Sequence, residues 1–136
     1  MFIAIDDRDT RPIYQQIVSQ VKEQIQRGEL QQGDELLPVR ELADSLGINL
    51  HTVRNAYLKL RDQGVINLRL GRRARVARPR HIPATATEAD MALGGQLREL
   101  AADAFLLGLS ADELHALLDR HLGHGSPSES DSKEKK

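Results

Sequence analysis

The stretch that decides the fold is VRELADSLGINLHTVRNAYLKL, Val39 to Leu60. Its apolar residues Val39, Leu42, Ala43 and Leu46 have the i, i+3, i+4, i+7 spacing of one buried helix face. Gly47 interrupts the pattern, and Val53, Ala56, Tyr57 and Leu60 resume it. A sharp turn between helices often needs a positive φ, which glycine reaches without steric penalty, so Gly47 marks the junction. Asn49 stands where the second helix should begin and is a good N-cap. The opposite face of that helix presents His51, Arg54, Asn55 and Leu58 at the same spacing. The pattern predicts a helix-turn-helix with a hydrogen-bonding outer face.

Charge points the same way. The formal net charge of −1 conceals a sharp division along the chain. Residues 50–80 carry nine Arg or Lys against Asp62 alone, a net of +8, whereas residues 1–49 sum to −4 and residues 81–136 to −5. A cation-rich block inside an acidic chain implies a localised polyanion-binding surface. The plainer alternative is a solvated basic face, and six arginines without an acid between Asn67 and Thr87 argue against it.

Upstream, residues 1–11 read as an extended lead-in. Pro12 should open a helix at its first position, with Tyr14, Ile17, Val18, Val21 and Ile25 along one face and Gly28 just past its end. Asp6, Asp7 and Asp9 would favour the positive end of that helix if they fold back. The connection from Gly28 to Pro38 holds a Gly33-Asp34 turn and the anchors Leu30, Leu36 and Leu37, and Pro38 should begin the next helix.

Downstream, Gly64 ends the second helix of the motif. Ile66, Leu68 and Leu70 alternate with Asn67 and Arg69, the period of a half-buried strand. Gly71-Arg72-Arg73 supplies a turn, and Ala74 to Ala77 can return as a partner strand. An arginine-tipped hairpin after a helix-turn-helix is a wing. Residues 79–87, with Pro79 and Pro83, read as a linker. Leu93, Leu97, Leu100, Ala104 and Leu107 then follow at spacings of 4, 3, 4 and 3, a helix–helix seam with Phe105 beside it. Gly94-Gly95 argue that the continuous helix begins nearer Gln96. Ser110 and Glu113 form a capping box before Leu114, Leu117, Leu118 and Leu122. Residues 124–136 are polar and aperiodic and read as disordered. The expected fold is mainly α with a small β-hairpin: a winged helix-turn-helix over 12–78 and a two-helix dimerisation unit over 88–123.

From Pro12 to Ala77 the chain resembles the winged DNA-binding domain of GntR-family bacterial regulators. The resemblance is carried by PIYQQI at 12–17, GELQQGDEL at 28–36, RELADSLGI at 40–48, TVRNAY at 52–57 and GVINLRLGR at 64–72. The Asn49–Tyr57 arrangement and the short helical tail are similar to the YtrA-like subfamily. There the resemblance implies a dimerising tail rather than a large effector domain. Three positions depart from the family pattern. Leu37-Pro38 displaces the usual Leu-Pro-Ser and removes a capping hydroxyl, Leu50 replaces a common arginine, and Arg73 replaces the second wing glycine. The resemblance therefore implies the docking mode and not the base preference.

On this reading the partner is double-stranded DNA, and the recognition helix spans about 49–63. Arg54 suits guanine, Asn49 or Asn55 adenine, His51 an acceptor edge and Leu50 a thymine methyl, with Thr52 beside them. Asn49 is divided, since a side chain that caps the helix is less available to a base. The resemblance places Arg40 on phosphate. In the wing, Arg69, Gly71, Arg72, Arg73 and Arg75 should meet phosphates or the minor groove. The expected protein is a homodimeric repressor on an inverted repeat, located in the cytoplasm with the nucleoid, with no cofactor, no metal and no membrane partner. Whether a small-molecule effector exists stays open.

Two other classes are weighed. A nucleoid or plasmid-maintenance protein would bind DNA without regulating transcription. A metal-dependent enzyme would draw on His115, Asp119, His121 and His124, which amphipathic-helix polarity explains better. With no cysteine, disulfides, thiolate catalysis and cysteine-ligated zinc are excluded. No phosphate-binding glycine loop or nucleophile elbow occurs either. No apolar run approaches the ~20 residues of a membrane span, and MFIAIDDRD is not read as a signal peptide. The 136-residue length leaves no room for the aminotransferase-like domain that accompanies some winged domains of this kind.

Overall fold

The computed structural model describes residues 1–80 and 82–123. The expected disordered tail 124–136, with His124, lies outside them. The chain separates into two compact units, Met1–Pro79 and the part from Arg80 onward.

The first unit contains α1 (Ile13–Gln26), α2 (Val39–Leu46), α3 (Leu50–Asp62), β1 (Ile66–Asn67) and β2 (Arg75–Val76). Helix α3 packs against both α1 and α2. Its Val53, Ala56, Tyr57 and Leu60 are buried with Ile17, Val18 and Val21 of α1 and with Leu42 and Ala43 of α2. This is the core that the 3.6-residue periodicity predicts. Gly47 takes the left-handed conformation at φ 65°, and Ile48 N donates to Ala43 O at 3.1 Å, closing α2 and turning the chain into α3. Tyr57 donates its hydroxyl to the carbonyl of Leu37, and burial pushes its pKa up.

Several elements differ from expectation. Pro12 and Pro38 stand one residue ahead of their helices, with extended ψ of 149° and 147°, and neither helix has a side-chain cap at that end. For α2 this is the consequence of the missing hydroxyl. No acid lies in the first turn of α1, and Asp9 instead pairs with Arg11 at 2.7 Å. β1 stops at Asn67, leaving Leu70 fully exposed. The register explains this: Ile66 faces Val76 and Asn67 faces Arg75, so continuing the ladder to Leu70 would leave Gly71 as a one-residue turn. Hairpin turns need at least two residues, so the chain opens into a loop.

Residues 33–36, read from sequence as a connection, pair with the free edge of β2. Gly33 N donates to Val76 O at 2.9 Å, Val76 N to Asp34 O at 2.9 Å and Leu36 N to Ala74 O at 2.8 Å. The lead-in is also part of the unit, with Ile3 buried in the core. Three glutamines of α1 hold it. Gln16, Gln20 and Gln24 each accept from and donate to the backbone of Asp6, Ala4 and Phe2 respectively. Four residues of helix rise about 6 Å and two of extended chain about 6.6 Å, so the two periods match.

The second unit holds α4 (Ala86–Leu106) and α5 (Ala111–Gly123). Helix α4 begins at a Thr85–Glu88 capping box and runs unbroken through Gly94-Gly95. The expected start near Gln96 is therefore about ten residues late. Two interior glycines cost about 1 kcal/mol each, which the capping box and the Ala- and Leu-rich flanks offset. A Cβ on Gly94 would lie 3.1 Å from Asp90 Oδ1. The chain leaves α4 at Gly108, where Leu109 N donates to Ala104 O at 3.0 Å. The Ser110–Glu113 capping box forms as the sequence predicts, with Glu113 N donating to Ser110 Oγ at 3.1 Å and Ser110 N to Glu113 Oε1 at 3.0 Å.

Candidate nucleic-acid interface

Helix α3 places the expected reading residues on its exposed side. His51, Arg54 and Asn55 are exposed, while Thr52 and Leu50 are half-buried. Leu50 packs on the core with part of its side chain. Asn49 caps the helix: its side-chain oxygen accepts from His51 N at 2.8 Å. That oxygen is committed to the backbone and is less available to a base.

Arg40 is exposed in the first turn of α2, and Arg69, Gly71, Arg72 and Arg73 are exposed in the loop between β1 and β2. Arg72 N donates to Arg69 O at 3.1 Å, which tightens the tip. Arg75 stands apart from this set. Its guanidinium donates to Gly33 O at 2.9 Å and pairs with Glu35 at 3.1 Å, tying the wing to residues 33–36. The ion pairs of the described residues otherwise join Arg8, Arg11, Arg27, Arg61 and Arg80 to nearby carboxylates. Among the described residues Arg40, Arg54, Arg69, Arg72 and Arg73 have no acidic partner, so their charge is available to an outside anion. Lys22 of α1 has its pKa lowered by burial and then by the nearby charge of Lys59.

A feature the sequence did not reveal lies beside α3. A cleft of about 370 Å³ is lined by Leu50, Arg54, Tyr57 and Leu58 of α3, by Val39 and Arg40 of α2 and by Leu68. Its walls are far apart in sequence, and only Leu58 on the otherwise polar face of α3 signalled it.

In the second unit Leu93, Leu97 and Leu100 are 49, 50 and 41 % exposed along one stripe of α4, with buried Ala104 in line. Leu107 caps the helix and is exposed. Phe105 is 81 % exposed but sits about 100° round the helix from Ala104, off that stripe. Leu114 and Leu117 are half-buried and Leu118 is exposed on α5. Among the described residues no three His, Asp or Glu side chains converge as metal ligands, and no helix is long and apolar enough to cross a membrane.

A helix-turn-helix with an arginine wing and unpaired cations on both defines a DNA-binding transcription regulator of the winged class. Residues 13–76 match the family described as bacterial regulatory proteins, gntR family. The chain is 37% identical over 114 residues to the HTH-type transcriptional repressor YtrA of Bacillus subtilis, covering 83% of this chain and 86% of that protein. Among solved structures, a transcriptional antiterminator from Listeria monocytogenes superposes with a TM-score of 0.78 at 32% identity, over 89% of this chain and 90% of that one. YtrA from Sulfolobus acidocaldarius, a GntR-family transcription factor, gives 0.54 at 36% identity, over 89% and 97%. The chain belongs to the GntR family.

Proposed function

We propose that this regulator is a repressor that acts as a homodimer on an inverted-repeat operator and has no enzymatic role. The carrying observation is the set of five arginines, Arg40, Arg54, Arg69, Arg72 and Arg73, exposed without acidic partners on α2, α3 and the wing loop. Arg54 and Asn55, with His51 and Thr52 beside them, read bases in the major groove, and the remaining arginines hold phosphates or the minor groove. The winged unit over 12–78 then serves as the reading head, residues 79–87 as the link and residues 88–123 as the pairing unit. The half-exposed Leu93, Leu97 and Leu100 support pairing, because a partner helix would cover them. The repressor named YtrA in Bacillus subtilis supports the direction of control. The site of action is the cytoplasm, at the nucleoid.

Selection of bound duplexes from random DNA, with sedimentation of the free protein, tests this reading. The expected result is a two-fold symmetric consensus bound by a dimer. Equal affinity for consensus and random DNA at physiological salt would favour a nucleoid protein instead. A monomer at micromolar concentration would remove the pairing role of residues 88–123.

A further inference from the structure

The cleft beside the recognition helix is built for something other than a phosphate backbone. Leu50, Leu58 and Leu68 face it together with Val39, and a phosphodiester chain gains little from such a wall. Leu58 is half-buried, lies outside the hydrophobic core cluster and lines the cleft, so part of its apolar surface is turned to that space. The polar contribution is equally selective. Tyr57 spends its hydroxyl on Leu37 O, which leaves the two guanidinium groups of Arg40 and Arg54 as the charged groups of the lining. Neither has an acidic partner among the described residues. At about 370 Å³ the space falls within the range of small-ligand sites, roughly 300–1,000 Å³.

We propose that this cleft binds an amphipathic carboxylate, its apolar chain against Leu50, Leu58 and Leu68 and its head on Arg40 and Arg54, and that the bound ligand excludes DNA. An apolar wall with two cations at its edge selects an anionic head on an apolar body; a sugar would find too few hydrogen-bonding groups. The exclusion rests on the functional reading above, since it uses the same two arginines that hold the duplex. Ligand and DNA then compete directly, within the reading head itself.

Methyl NMR of the full chain, titrated with octanoate, 1-octanol and acetate, tests the site without DNA. Octanoate should shift the Leu50, Leu58 and Leu68 methyls saturably, with at least tenfold weaker binding by octanol and by acetate. Leu58→Trp, which fills the cleft, should abolish that binding, and Leu68→Trp should do the same from the opposite wall. On a duplex selected from random DNA, octanoate at ten times its Kd should raise the apparent DNA Kd about elevenfold by simple competition. Absence of saturable shifts, equal binding of octanol, or octanoate binding unchanged in both tryptophan variants would overturn the site. An unchanged DNA Kd with octanoate bound would overturn the exclusion. A chain that takes up octanoate but holds no duplex would overturn the functional reading and leave the cleft standing.

Discussion

Gln20 treats Ala4 as a neighbouring strand would. Its side-chain oxygen accepts from Ala4 N at 3.0 Å, and its nitrogen donates to Ala4 O at 2.6 Å. An amide side chain carries the same donor and acceptor as a peptide unit, so a helix can pair with an extended chain through glutamines alone. Gln16 and Gln24, one turn to either side, are buried, and Gln20 is the half-buried middle rung. Replacement of Gln24 by leucine should cost about 2 kcal/mol, because the Phe2 N–H and carbonyl both lose their bonds to the buried Gln24 amide. Gln20→Leu should cost about 1 kcal/mol, since water can replace the lost bonds. Urea unfolding measures both, and amide exchange at Ala4 should accelerate in the Gln20 variant alone.

The wing arginines should separate by their partners. Arg72→Ala and Arg73→Ala should each lower the slope of log K against log salt by about 0.9 if each neutralises one phosphate. Arg75→Ala should change that slope less, because its guanidinium is held by Glu35 and Gly33 O. Glu35→Ala should steepen the slope by releasing Arg75. DNA binding titrated at several salt concentrations distinguishes the four.

Arg54 and Asn49 lie on one helix and should fail differently. Arg54→Ala should weaken operator binding by about 1–3 kcal/mol and relax the preference at one base pair, with thermal stability unchanged. Asn49→Ala should lower stability by about 1 kcal/mol through loss of the His51 N contact, and Asn49→Asp should retain most of it. Melting curves and binding to operator variants give the two readouts.

Acid should loosen the second unit from its helix starts. The Arg80 guanidinium, then the Thr85 backbone and hydroxyl, hold the Glu88 carboxyl below the usual carboxylate range, and the Ser110 backbone and hydroxyl do the same for Glu113. A carboxyl with a depressed folded pKa contributes stability that is present above its unfolded pKa, near 4.5, and is lost as pH falls through the folded value. Helicity should therefore decline below about pH 4.5. Glu88→Gln with Glu113→Gln should flatten that decline in circular dichroism.

What sequence could reveal follows from which interactions have a period. The faces of α1, α2 and α3 repeat every 3.6 residues, and the caps at Asn49 and Ser110 use side chains selected for that task, so both were legible. The pairing of residues 33–36 with β2 was not, because four residues beside two prolongable apolar anchors look like any connection. Gln16, Gln20 and Gln24 lie outside the apolar face that periodicity picks out, although their spacing matches every second residue of the lead-in. The unbroken α4 was hidden by two glycines whose local penalty its long flanks absorb. The cleft was hidden because Val39, Leu50, Leu58 and Leu68 meet only after folding. The exposure of His51, Arg54, Asn55 and the wing arginines was readable in outline, but the diversion of Arg75 and the commitment of Asn49 depend on partners that spacing does not specify.

The early opening of the hairpin has an evolutionary consequence. Arg69, Leu70, Arg72 and Arg73 are all exposed, and none belongs to the hydrophobic core. Substitutions there should change the proposed grip on DNA without drawing on what keeps the chain folded. On the proposed reading, affinity for DNA and thermodynamic stability would be separable traits in the wing, and selection could move the first there while the second stands still.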